Sequence, residues 1–236
     1  MSQPVAFAPA PVGRRHRVFV VDDHPIVRQG LALLIDQEPD LVVCGAAEEA
    51  GSALAAIAES RPDILVIDIS LPGRDGIDLL KTIRSVNSSL PILVLSMHDE
   101  STYAERALRA GANGYIMKQE ATENVLVALR RILRHELYLS ERIANQMLRH
   151  IVSGGREAEQ APIARLSDRE LEVFRLIGAG LGTRQIAEDL RISIKTVESY
   201  QAHIKEKLEL QSSRDLVQRA IEWRMNELND KNQPVR

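Results

Sequence analysis

A chain of 236 residues with 44% hydrophobic residues can bury one or two cores, and a formal net charge of −3 argues against indiscriminate polyanion binding by the whole chain while leaving room for a local basic face. A single cysteine, Cys44, excludes a disulfide framework and fits a reducing compartment. No apolar stretch approaches the roughly 20 residues that a bilayer span needs, so a cytoplasmic protein with no membrane partner is expected.

Residues 1–13 are rich in Pro and Ala, and the basic cluster (Arg14, Arg15, Arg17) comes after them, the reverse of a secretory signal; residues 1–16 read as a disordered tail. From 17 to about 133, continuous apolar runs at 18–21, 41–46, 64–67, 92–95 and, more weakly, 115–117 alternate with helical patterns at 25–36, 49–59, 75–85, 102–110 and 122–133. Continuous runs mark strands covered on both faces. Five strand–helix units in succession predict an α/β doubly wound, five-stranded parallel sheet. Cys44 falls inside one run and reads as a small buried hydrophobe. A helix follows over 140–152, with Ile143, Met147 and Ile151 on one stripe, and then a linker at 153–162 with two glycines and a proline. Everything after Leu166 is helical.

In an open α/β sheet, ligands bind beyond the carboxyl ends of the strands. The first strand ends in Asp22 and Asp23, the third in Asp68, the fourth in Ser96 and the fifth in Lys118. Three carboxylates drawn together repel unless a cation sits among them. Hard oxygen ligands in a half-open site suit Mg²⁺, which keeps waters and binds phosphate. Lys118 adds a point charge for a phosphate oxygen and Ser96 a hydrogen bond. Such a cluster can bind a metal and stabilise a phosphoryl group on Asp68. Each aspartate alone would be a turn former or helix cap; the coincidence at four strand ends carries the weight. The glycines at 178, 180 and 182 follow a helix rather than a strand, so they read as a helix stop and not a dinucleotide loop.

The runs DDH (22–24), VIDISLPGRDG (66–76), VLSM (94–97) and GYIMK (114–118) resemble the receiver domain of two-component response regulators. The resemblance implies that Asp68 accepts phosphate from a sensor histidine kinase. It implies that Asp23, Asp68 and the backbone carbonyl of Ser70 ligate Mg²⁺ directly, with Asp22 acting through water, and that Lys118 pairs with the phosphate. Ser96 and Tyr115 would form the switch, the hydroxyl moving toward the phosphate and the ring moving inward. Pro72, Gly73 and Gly76 would shape the loop after the acceptor, while Ser70 and His98 would border the path of hydrolytic water. Phosphatases of the haloacid dehalogenase type also use an aspartate nucleophile with Mg²⁺, but they need a second Asp two residues later, where this chain has Ser70.

In the helical half, Ser167 and Glu170 have the spacing of a capping box, and Leu171, Phe174 and Ile177 mark the stripe behind it. Gly180 stops that helix. Thr183 is expected to cap the next, with Ile186, Ala187 and Leu190 facing inward. Ser193 caps a third with Val197, Ile204 and Leu208 buried, and a fourth starts near Ser212 or Ser213. The runs LSDRELEVFRLI, GLGTRQIAEDL, ISIKTVESY and IKEKL resemble the LuxR-type helix-turn-helix of NarL/FixJ-class regulators. The resemblance implies that helix 194–208 enters the major groove of double-stranded DNA, with Lys195, Thr196, Glu198, Ser199, Ala202 and Lys205 facing the groove or its backbone. Glu198, Ser199 and Ala202 would meet base edges, and Lys195, Lys205 and Arg184 phosphates; Lys207 reads as a packing residue instead.

The module is not strongly basic, which favours paired binding to two half-sites. The last helix carries Leu216, Val217, Ala220, Ile221, Trp223, Met225 and Leu228, an apolar arc wider than one core face needs. The excess reads as a dimer surface, assigned to Leu216, Ala220 and Trp223 in a homodimer formed on phosphorylation. The expected layout is a receiver at 17–137, a linker at 138–163 and a DNA-binding domain at 164–236. Phosphorylation would free the reading helix, promote dimerisation, or both. Under the alternative from another class, the helical half recruits a protein rather than DNA.

Overall fold

The computed structural model describes residues 14–71, 76–97, 100–152 and 162–231. Its strands β1 (His16–Val21), β2 (Leu41–Ala47), β3 (Ile64–Asp68), β4 (Ile92–Ser96) and β5 (Gly114–Met117) form one parallel sheet in the order β2-β1-β3-β4-β5. Helices α1 (Pro25–Asp36), α2 (Ala50–Ser60), α3 (Gly76–Val86), α4 (Glu100–Arg109) and α5 (Ala121–Leu133) connect and cover it. Every residue of β3 and β4 is buried, the consequence of helices on both faces. Val18, Val20, Val66, Leu93 and Leu95 pack on one face with Leu31 and Ile35 of α1 and Val125 and Leu129 of α5. Phe19, Val21, Leu65, Ile67 and Val94 pack on the other with residues of α2, α3 and α4. At about 1.5–3 kcal/mol per buried aliphatic side chain, these layers outweigh any local helix signal. The strand order reverses at the β1/β3 boundary, which opens a crevice beyond their carboxyl ends.

The sheet begins earlier than expected. His16 belongs to β1, Arg15 Nε donates to the carbonyl of Leu41 at 2.6 Å, and Arg14 pairs with Asp63 at 3.2 Å. Residues 14–16 therefore belong to the sheet margin and not to the tail, because two guanidinium groups find acceptors there; residues 1–13 lie outside the described residues. Cys44 is only partly buried, and its desolvation pushes the thiol above its ordinary value.

Helix α6 (Glu141–Val152) lies on α4. Ile143 is buried, and Glu100 of α4 accepts hydrogen bonds from Ser140 Oγ at 2.8 Å and Arg142 Nε at 3.1 Å. Residues 153–161 of the expected linker lie outside the described residues, and a short 3-10 turn (Pro162–Arg165) leads into the second domain.

That domain holds α7 (Asp168–Gly178), α8 (Thr183–Asp189), α9 (Ile194–Lys207) and α10 (Ser213–Lys231). The capping box is present: Ser167 Oγ accepts from the Glu170 amide at 3.3 Å, and Glu170 Oε2 accepts from the Ser167 amide at 2.7 Å. Ser193 Oγ caps α9 through the Thr196 amide at 3.0 Å. Gly180 ends the turn after α7 at φ 86°, a conformation glycine adopts without strain. The cap of α8 differs from expectation. Gly182 occupies the N-cap, its amide bonded to Gln185 Oε1 at 2.9 Å, and Thr183 is the first helical residue.

The dimer assignment also changes. Leu216 and Ala220 are 2% and 0% exposed inside the domain core, and Trp223 lies half-buried with its ring centroid 5.6 Å from that of Phe174. Leu216 and Ala220 hold α10 to its own domain and cannot form an outer surface, and Trp223 gives one side of its ring to the same packing. Among the described side chains of α10, the exposed apolar ones are Val217, Ile221 and Met225, four residues apart on one stripe.

Candidate functional site

Beyond the sheet's carboxyl edge, the strand ends bring Asp22, Asp23, Asp68, Ser96 and Lys118 together. Asp22, Asp68 and Ser96 are buried, and Asp23 is nearly so. Lys118 Nζ stands 2.7 Å from Asp22 Oδ2 and 2.8 Å from Asp68 Oδ2, bridging the ends of β1 and β3 from the end of β5. The second oxygen of Asp68 accepts from the Ser70 amide at 3.0 Å. Asp22 Oδ1 accepts from the His24 amide at 2.9 Å. Gly76, at the start of α3, is required here: a Cβ on it would lie 2.1 Å from the carbonyl oxygen of Asp68. Pro72, Gly73 and His98 lie outside the described residues.

Burial raises the Asp68 carboxyl above the ordinary aspartate value; the Asp22 charge adds to the rise, and Lys118 and the Ser70 amide offset only part of it. Burial works against the Lys118 ammonium, yet Asp68 and Asp22 outweigh it and hold Lys118 above the ordinary lysine value.

Ligand atoms of Asp22, Asp23, His24 and Asp68 all lie within 4.8 Å of one another. Asp22 Oδ2 and Asp23 Oδ1 are buried without aligned hydrogen-bond donors, although Lys118 Nζ and His24 Nδ1 stand at contact distance, 2.7 and 2.6 Å. Oxygens in that condition retain capacity for a hard cation, so the donor set fits Mg²⁺. Tyr115 is 2% exposed; the ring expected to move inward already lies inside.

On the second domain, α8 and α9 form the helix-turn-helix. Val197 and Ile204 face the core, while Arg184, Lys195, Glu198, Ser199 and Ala202 are exposed. Thr196 and Lys205 are half-buried, and Thr196 Oγ1 is shared with Ser193 Oγ at 2.7 Å within the cap. Lys207 pairs with Glu170 at 2.6 Å, a packing role.

Residues 18–130 match the response regulator receiver domain, and residues 164–220 match the bacterial regulatory proteins of the luxR family. The oxygen regulatory protein NreC of Staphylococcus haemolyticus is 33% identical over 89% of this chain and 98% of its own. NreC of Staphylococcus aureus MRSA252 is 34% identical over 89% and 99%. The chain belongs to the NarL/FixJ-type two-component response regulators. Solved structures agree: the Salmonella typhimurium RcsB response regulator aligns with TM-score 0.61 at 28% identity, covering 89% of this chain and 98% of that one. A second RcsB structure, bound to promoter rprA with a phosphomimetic, aligns with TM-score 0.57 at 29% identity over 87% and 98%. Like other response regulators, this one couples a phosphorylated receiver to DNA binding, which sets aside the phosphatase and protein-recruitment alternatives.

Between the two domains of this response regulator lies a set of contacts that the sequence did not announce. Asp168, in the first turn of α7, pairs with Arg106 of α4 at 3.0 Å and Lys81 of α3 at 3.2 Å. Arg106 also donates to the carbonyls of Leu166 at 2.8 Å and Ile163 at 3.2 Å. Arg169 pairs with Glu172 and reaches the carbonyl of Leu71 at 3.4 Å. Asp168 and Arg169 look like ordinary solvated helix-start charges in the sequence, and only their burial reveals the clasp.

Proposed function

We propose that Asp68 is the phosphoacceptor and that a sensor histidine kinase supplies the phosphate. The observation that carries this reading is the Lys118 ammonium shared between Asp22 and Asp68 at the strand-order reversal. An Asp68 oxygen forms the new P–O bond as the P–N bond of a phosphohistidine breaks. Little acid–base chemistry is needed; positioning and charge neutralisation do most of the work. Asp23, Asp68 and the Ser70 carbonyl would hold Mg²⁺, with Asp22 acting through water, and the ion would neutralise charge on the phosphoryl oxygens. Lys118 then turns from the carboxylates to the phosphate, and Ser96, at the end of β4, hydrogen-bonds it. Any hydrolysis of the acyl phosphate is slow self-dephosphorylation. Asp68→Asn is expected to abolish labelling by a small-molecule phosphodonor while leaving the fold intact by circular dichroism; persistent labelling would remove Asp68 from the role.

The receiver comprises residues 14–137, the sheet margin included, joined by 138–163 to a DNA-binding domain at 164–236. Exposed Glu198, Ser199 and Ala202 read bases, and Arg184, Lys195 and Lys205 contact phosphates, with Thr196 positioning the start of the reading helix. Phosphorylation promotes a homodimer on paired half-sites, with Val217, Ile221 and Met225 as the C-terminal contact. Because the reading face is already open to solvent, phosphorylation need not uncover it. No described helix is long and apolar enough to cross a membrane, in keeping with a cytoplasmic regulator.

A further inference from the structure

The helix-turn-helix reaches the acceptor pocket itself. Arg191, in the turn between α8 and α9, places Nη2 3.7 Å from Asp23 Oδ2. Asp23 is 11% exposed; Arg191 stands at Oδ2, while Oδ1, the oxygen without an aligned donor, faces His24 Nδ1 at 2.6 Å, so the guanidinium and a cation on Oδ1 would share one carboxylate. A second contact supports the placement: Arg169 reaches the carbonyl of Leu71, three residues past Asp68 on the same loop. The Asp168 clasp to Arg106 and Lys81 holds the DNA-binding domain in this position. The docked domain thus touches both the rim of the pocket and the loop leaving it.

We infer that Arg191 is a tethered counter-cation for the acceptor pocket, competing with Mg²⁺ for Asp23, so that metal binding and domain docking oppose each other. The inference rests on the reading of Asp23 as a metal ligand. Mg²⁺ needs direct carboxylate oxygen at about 2.1 Å with waters completing an octahedron. A guanidinium against the same carboxylate repels that ion. When the metal enters, the interaction that Arg191 contributes to docking is lost. By linkage, docking must weaken Mg²⁺ by the same factor that Mg²⁺ weakens docking. The Arg191 side chain is 65% exposed and the pair is long, so the factor is small, roughly two- to five-fold. The metal therefore does more than prepare Asp68 for phosphate. It loosens one of the attachments of the DNA-binding domain before any phosphate arrives.

Position 191 allows a clean test, because Arg191 has φ 51°, a left-handed conformation that glycine adopts more readily. Arg191→Gly removes the charge without straining the turn, and Arg191→Lys retains the charge. Mg²⁺ affinity of the full chain is measured by calorimetry for wild type, both variants, Arg106→Ala and the Arg106→Ala/Arg191→Gly pair. Arg191→Gly is expected to tighten Mg²⁺ roughly two- to five-fold and Arg191→Lys to stay near wild type. Arg106→Ala weakens the clasp, leaving Lys81 on Asp168, so Arg191 reaches Asp23 less often and adding Arg191→Gly should tighten Mg²⁺ by less than it does in wild type. Equal affinity in wild type and Arg191→Gly would overturn the competition while leaving the metal pocket standing. A gain from Arg191→Gly that is undiminished in the Arg106→Ala background would overturn the role of docking. Failure of Mg²⁺ to bind any of the proteins would remove the metal reading of Asp23, and the inference with it.

Discussion

Lys118 is one ammonium answering two buried carboxylates, and this sets the pH behaviour of the pocket. The Asp68 carboxyl is raised, so its reactive ionised form is lost, as pH falls, at a higher pH than for an ordinary aspartate. Lys118→Ala removes the main offset to that rise. The acid limb of Asp68 labelling should then move to higher pH, each further unit costing about tenfold in ionised fraction below the pKa. The check is the pH profile of labelling by a small-molecule phosphodonor; an unmoved limb would show that Lys118 does not tune Asp68. The same variant should uncouple phosphorylation from DNA affinity, measured on protein labelled to equal extent. The strand-end residues of this pocket were legible in the sequence because each ends an apolar run, and parallel strands all deliver their ends to one rim. Arg191 was not legible: nothing in a turn between two helices indicates a carboxylate far earlier in the chain.

Helix α7 is capped and clamped by one side chain, Glu170, which accepts from the Ser167 amide at 2.7 Å and from Lys207 of α9 at 2.6 Å. Burial would raise the Glu170 carboxyl, but these hydrogen bonds outweigh it and hold it below the ordinary glutamate value. A carboxyl lowered on folding contributes stability that is present above its unfolded pKa and is lost as pH falls through the lowered value. Glu170→Gln should therefore destabilise the protein by about 1 kcal/mol near neutral pH and by less in acid, measured from urea midpoints at both pH values. An equal loss at both would exclude the charge. The Ser167 and Ser193 caps, the Gly180 stop and most helix bounds were readable because their signals are local. The cap of α8 was not, since Gln185 reaching back to Gly182 serves as well as a threonine would. On α10, periodicity marked the apolar residues but could not assign them to faces: Leu216 and Ala220 went to the core, and Val217, Ile221 and Met225 to the surface.

At the scale of the whole molecule, two domains are docked through Asp168, Arg106 and Lys81, while the reading face of α9 points to solvent. Arg106→Ala leaves buried Asp168 and the carbonyls of Leu166 and Ile163 short of a donor, at a cost of about 1–3 kcal/mol to the docked state. Small-angle scattering should show a larger radius of gyration, with affinity for a single half-site unchanged because the groove face is already open; a tighter half-site complex would mean that docking masks it. The sequence alone determined two domains, their fold classes and the acidic pocket, because hydrophobic periodicity, capping spacing and strand-end chemistry are written in neighbouring residues. Only the tertiary structure decided how the domains meet, which face of α10 is free and that Arg191 reaches Asp23. Those outcomes depend on which charged residues become buried against a distant segment, and a charged side chain at a helix start or turn looks the same in sequence whether water or another domain covers it.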